Sequence, residues 1–172
     1  MFKLQIWMCV VAALGSATPL SAELNVPIAA RVVSFLQPGP AGTVAAAIVF
    51  EPGNAASEAE AAAIERAIGS GLAAGRSAIR ARRVPVGSIG SLAGFRLAFV
   101  TTGLRPEYAG IAAAATRSSV LTISSDPACV QTARCVVGIT SGPKTQITVN
   151  RAAARAANIR FGSAFLMLIK EI

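Results

Sequence analysis

Apolar positions in the 172-residue chain fall into blocks with different periods, and the periods predict the elements. Asn25-Val-Pro27 opens a helix, because Asn can cap and Pro is tolerated in the first turn. Ile28, Val32, Phe35 and Leu36 then share one face. "QPGP" at 37 to 40 ends that helix. "TVAAAIVF", residues 43 to 50, is apolar without interruption, the pattern of a strand covered on both faces. After the turn "EPGN", Ser57 and Glu60 have the spacing of a capping box. Ile64, Ile68 and Leu72 repeat every four residues, which predicts a helix over about 56 to 74.

"SAIRARRVPV", residues 77 to 86, reads as a second strand, and Pro85 puts it at an edge. A short turn or helix, "GSIGSLAG", leads to a third strand in "FRLAFVTT", 95 to 102. "RPEYAGIAAAATR", 105 to 117, is alanine-rich and helical, and "SVLTISS", 119 to 125, is a fourth strand. "CVVGIT" and "TQITVN" form a hairpin through "SGPK", the second alternating Thr145, Ile147 and Val149 against polar neighbours. Asn150 caps a last helical region, bent near 158 to 162, whose end buries Phe165, Leu166 and Ile169. The order predicts an α/β domain: a mostly parallel sheet flanked by helices, with a C-terminal antiparallel hairpin and a closing helix.

The first 22 residues do not fit that domain. One cation at Lys3 precedes an apolar run from Leu4 to Leu14, and small residues follow. This is the layout of a cleavable secretory signal peptide, with cleavage expected after Ala22. The run is shorter than the roughly 20 residues a membrane helix needs. Residues 23–172 are then expected to form a single exported domain. Cleavage would also remove Trp7 and Cys9, and with Lys3 gone the net charge would be +7 instead of +8. An exported basic protein rarely meets nucleic acid. Its acidic partners are membrane surfaces, anionic glycans or acidic faces of proteins.

Chemistry is sparse. The chain has no histidine, which removes the usual base-assisted serine or cysteine catalysis. Four of its eight carboxylates cluster from Glu51 to Glu65, on apparent turn and helix-surface positions. Spacing alone leaves a glycosidase-type carboxylate pair open. "GSGLAAG", 69 to 75, lies at a helix end instead of after a strand, so it reads as helix termination and close packing and not as a phosphate loop. The chain is expected to be no enzyme and to hold no cofactor or metal. Arg76, Arg80, Arg82 and Arg83 form a basic strip, with Arg80 and Arg82 on one face of the strand and Arg83 on the other. The strip is either a partner- or anion-binding surface or an edge strand protected by charge.

"DPACVQTARC" places Cys129 and Cys135 six positions apart. Zinc needs about four ligands, and only Asp126 is near. A redox pair reads Cys-x-x-Cys, which this is not. Export favours a disulfide across a tight loop between strands; two unpaired buried thiols are the alternative. The segment must double back for the Cα atoms to come within about 7 Å.

"VLTISSDPACVQTARCVVGI", then "ITVNRAAARAANIRFGSAFLMLI", and more faintly "AARVVSFLQP", resemble the YfiR family of periplasmic regulators. The resemblance implies a compact periplasmic α/β domain that acts by binding. Relatives restrain a membrane-bound diguanylate cyclase, and hence cyclic di-GMP signalling, by holding its periplasmic part. Disulfide state influences activity in those relatives, and here only Cys129 and Cys135 could carry that effect. The opening helix has fewer aromatics than relatives show, which opens the partner to another membrane sensor such as a kinase. The other function class is a periplasmic small-ligand receptor for an anion.

Overall fold

The computed structural model describes residues 23–172; the expected signal peptide and its cleavage after Ala22 lie outside the described residues. Helix α1 (Val26–Val33) starts at Asn25, whose side chain accepts from the Ile28 N–H at 3.1 Å. Strand β1 (Gly42–Phe50) follows, then α2 (Ala55–Ile68). A short strand β2 (Leu72–Ala74) turns into β3 (Ser77–Pro85). A 3₁₀ segment at Val86–Leu92 precedes β4 (Leu97–Val100), which leads to α3 (Tyr108–Ser118) and β5 (Leu121–Ser124). Helix α4 (Pro127–Gln131) comes next, then the hairpin of β6 (Val137–Thr140) and β7 (Gln146–Val149). The chain closes with α5 (Arg151–Ala156), α6 (Ser163–Leu166) and β8 (Lys170–Glu171).

The eight strands form one sheet in the order β2-β3-β1-β4-β5-β6-β7-β8. β3, β1, β4, β5 and β6 run parallel, while β2 and the β6–β7 pair are antiparallel. This is the expected α/β architecture with its terminal hairpin. Both faces of the sheet are covered, which explains why β1 is apolar throughout. Val44, Ala46 and Ile48 pack with Ile64 and Ile68 of α2 and with Ala29, Val32 and Val33 of α1. Ala47 and Val49 face the other way, toward Leu92, Ile111 of α3, Cys129 and Cys135. Burying a Val, Leu or Ile side chain fully stabilises by about 1.5–3 kcal/mol, so these two layers dominate the fold's free energy.

Five sequence expectations need correction. The second helix ends at Ile68, six residues short of 74. Gly69 takes φ +54 there, and Leu72, which continues the four-residue spacing, starts β2 instead. Gly75, φ +62, is the first central residue of a two-residue hairpin turn, a place that needs a left-handed backbone. A Cβ there would also lie 3.1 Å from Ser34 Cβ. As a result β3 is shielded by β2 over Ser77–Ile79 and is an open edge only beyond them.

The capping box does not form. Asn54 caps α2, accepting from the Ser57 N–H at 3.2 Å, and Ser57 and Glu60 are buried. The loop between the cysteines contains the single-turn helix α4, started by Asp126 and Pro127. The last apolar segment does not stay helical to its end: Lys170–Glu171 add a parallel strand beside β7.

Candidate functional site

In this sheet β1 connects to one side, toward β3, and β4 connects to the other, toward β5. The C-terminal ends of β1 and β4 therefore flank the point where the winding reverses, the usual ligand crevice of such folds. Here the crevice is filled by the protein's own polar side chains. Thr101 Oγ1 donates to the Val49 carbonyl at 2.9 Å, so the 2.7 Å contact between Ser57 and Thr101 has Ser57 as donor. Ser57 Oγ also accepts from the Glu51 N–H at 2.9 Å. Glu60 accepts from the Thr102 N–H at 2.6 Å and from Ser125 Oγ at 2.6 Å. It is 7% exposed, not a surface carboxylate as its sequence position suggests. Nothing local announces this role, because Glu60 meets partners 42 and 65 positions away. Thr102 Oγ1 is buried beside them with no hydrogen-bond partner among the described residues.

Next to the crevice, Asp126 ends the β5 region and starts α4. It accepts from the Ala128 N–H at 2.9 Å, from Arg105 Nε at 3.0 Å and from the Tyr108 hydroxyl at 2.9 Å. Burial pushes the Asp126 carboxyl up. The hydrogen bonds from Arg105, Ala128 and Tyr108 outweigh that push and leave it below the ordinary carboxylate range. Tyr108 moves the other way: burial first, then its bond to Asp126, raise its hydroxyl far above the usual value. The pair Asp126-Pro127 is a cap followed by a first-turn proline, a helix-start signal the sequence does carry.

Cys129 and Cys135 are joined as a disulfide, with Cα atoms 5.2 Å apart, and both are fully buried. The closed loop reverses through Ala133, a non-glycine residue at φ +56. Arg134 N–H and Cys135 N–H both donate to the Cys129 carbonyl at 2.9 Å. Two further bonds fix the loop to the sheet. Asn150 Nδ2 donates to the Val130 carbonyl at 2.9 Å, and the Val136 N–H donates to Thr122 Oγ1 at 2.8 Å. Gly138 passes under α4 so closely that a Cβ would stand 2.9 Å from Val130 Cγ1. The disulfide is thus one of several ties holding a rigid corner.

The arginine strip does not converge. Arg76 is exposed in the β2–β3 turn. Arg82 lies over the Phe95 ring, 4.7 Å from its centroid, on one face. Arg83 takes the other face, paired with Glu65 at 2.7 Å and lying 6.0 Å from the Phe50 centroid. Arg80 is exposed along the open part of the edge. The alternation matches the strand expectation, and the four guanidinium groups do not enclose a common space.

A cleft of about 250 Å³ opens at the opposite, N-terminal end of the strands, between Gln37, Pro38, Arg96, Ser119, Asn158 and Arg160. Ser119 and Asn158 both hold left-handed conformations, φ +50 and +54. Nothing in the sequence singles out Arg96 or Arg160. They come from segments 64 positions apart, and no local pattern joins them. Among the described residues no three or more potential ligands gather for a metal, and no helix is long and apolar enough to cross a membrane.

The architecture is that of a doubly wound α/β domain with bonded, buried polar side chains at its switch point. A family model described as YfiR/HmsC-like matches residues 44–169, and the chain belongs to that family. Solved structures share the fold at low identity. One is the ligand-free, open form of a substrate binding protein with adhesive properties from Clostridium difficile (11% identity, TM-score 0.60, 75% of this chain and 54% of that one). Another is a conserved domain protein from Vibrio cholerae (12%, 0.61, 86% and 60%). A third is an ABC domain in complex with L-Trp from Streptococcus pneumonia (10%, 0.58, 85% and 59%). The chain spans little more than half of each of these longer structures. No protein with a curated description matches the sequence.

Proposed function

We propose that the chain is an exported, non-catalytic regulator that binds the periplasmic part of a membrane signalling protein. A diguanylate cyclase is the first candidate and a sensor kinase the second. Membership of the YfiR/HmsC-like family over residues 44–169 carries this reading. Two features support it. The disulfide suits an oxidising compartment, which export with cleavage after Ala22 would give the single domain 23–172. Arg76, Arg80 and Arg82 offer exposed cations along one sheet edge for such a contact.

Immobilised residues 23–172, with the disulfide formed, should retain a membrane signalling protein from detergent-solubilised membranes. Arg80→Glu with Arg82→Glu should weaken that retention. Recovery no different from that of an unrelated periplasmic protein would refute the reading.

A second reading, a receptor for a small anion, is favoured by the cleft between Arg96 and Arg160, neither of which has an ion-pair partner among the described residues. Two of the structural neighbours are described as a substrate binding protein and as a complex with L-Trp. A thermal-shift screen of carboxylates and phosphates tests it. At a hundredfold excess over Kd a true ligand stabilises by about 2.7 kcal/mol, and a flat screen removes this alternative.

A further inference from the structure

Among the described residues, the large exposed apolar side chains are Met167, Leu168 and Ile172. Met167 is 85% exposed and Leu168 79%, directly after α6, and Ile172 is 41% exposed. Exposed apolar side chains occurring singly need no explanation, whereas a cluster does. Next to them runs an apolar groove of about 330 Å³. Its lining includes Ile159, Phe161 and Leu166 together with Arg151, Arg155, Arg160 and Glu171. Lys170 adds a fourth exposed cation two residues after Leu168. The acidic side chain in this region is Glu171, 3.8 Å from Arg151 Nε.

We propose that this end of the molecule docks on an anionic lipid surface, with Met167 and Leu168 entering between headgroups and Arg151, Arg155, Arg160 and Lys170 meeting lipid phosphates. The shape favours lipid over a protein partner. Two neighbouring side chains at 79–85% exposure stand proud of the surface. A protein partner needs a matched pocket for them, whereas headgroups close around any protruding apolar tip. Charge complementarity points the same way, because one carboxylate among four cations leaves this face positive while bilayers carry anionic lipids. A basic rim beside a small apolar insertion is the arrangement of reversible peripheral binding. The inference rests on the export reading, and it would hold a regulator within reach of a membrane-embedded partner.

Flotation of disulfide-bonded residues 23–172 with vesicles of 30% phosphatidylglycerol in phosphatidylcholine, in 0.05 M salt, tests it. Binding should fall with added salt and be absent on pure phosphatidylcholine. Met167→Asp with Leu168→Asp should reduce binding at least tenfold, with both positions exposed enough to leave the fold intact. Arg155→Gln and Arg160→Gln should each cost about fivefold. Arg80→Gln with Arg82→Gln, near the opposite end of the sheet, should cost little. Equal binding to neutral vesicles, no effect of the Asp pair, or equal losses at both arginine sets would overturn the proposal. Sedimentation velocity showing a dimer broken by the Asp pair, without vesicle binding, would assign the tip to a second copy and also overturn it. Retention of a membrane protein from detergent extract uses no bilayer, so failure here and failure of the regulator reading are separate results.

Discussion

Replacing Glu60 by Ala distinguishes a helix cap from a tertiary strut. A cap residue contributes about 0.5–2 kcal/mol, and its effect stays local. In the structure Glu60 takes two short hydrogen bonds, one from the Thr102 N–H and one from Ser125 Oγ, both 2.6 Å. Hydrogen bonds to a charged group contribute about 1.5–3 kcal/mol each. Water reaches the half-buried Thr102 and recovers part of the loss, so we expect Glu60→Ala to cost about 3 kcal/mol. Ser125→Ala alone removes one of the two bonds and should cost about 1.5 kcal/mol. Because they share one bond, the double mutant should lose about 1–2 kcal/mol less than the sum of the singles. Urea unfolding of the oxidised mature chain at neutral pH measures all four corners of the cycle. Thermal midpoints should follow at about 2–4 °C per kcal/mol. Additivity within about 0.5 kcal/mol, or a Glu60→Ala loss under about 1 kcal/mol, would refute the strut and restore the cap.

Cys129→Ala with Cys135→Ala opens a loop of sequence separation 6; chain entropy puts the loss at about 2.4 kcal/mol, and a thermal midpoint unchanged within a degree would contradict this. Asp126→Asn tests the acid limb. The folded-state pKa of Asp126 is depressed, so its contribution is present above the ordinary carboxylate value of about 3.9 and disappears as pH falls through the lower folded value. Wild type should therefore exceed Asp126→Asn in stability at pH 7, and the two curves should converge between about pH 5 and 2; a gap constant across that window would contradict the assignment. Gly138→Ala drives a methyl toward Val130 Cγ1, 2.9 Å away in a fully packed corner, and should cost about 1–3 kcal/mol. Adding Val130→Ala to that variant should cost less than Val130→Ala does in the wild type, a difference chemical denaturation resolves.

What the sequence reveals follows the range of the forces involved. The uninterrupted apolar run of β1 and the four-residue spacing of Ile64 and Ile68 are local patterns, and both define their elements. Leu72 misleads because its spacing continues a helix that Gly69 has already ended. The cysteine pairing was legible because redox compartment and loop length are properties of the chain itself. Helix α4 was missed because Asp-Pro signals a turn as readily as a helix start. Glu60, Ser57 and Ser125 could not be joined from sequence, since their geometry depends on how β1, β4 and β5 are ordered in the sheet. The same holds for Arg96 and Arg160, which meet only after the crossovers are complete.

The segment that follows the opening helix is sealed by residues near 160. Leu36 bridges to Phe161, the Gln37 N–H donates to the Arg160 carbonyl at 2.9 Å, and the rings of Phe35 and Phe165 stack 4.9 Å apart. Ala29, Val32 and Val33 pack on β1 and α2, whereas Phe35 and Leu36 gain their cover from residues near 160. The start of the domain is thus latched by a residue 125 positions later, so neither segment finishes packing before the other.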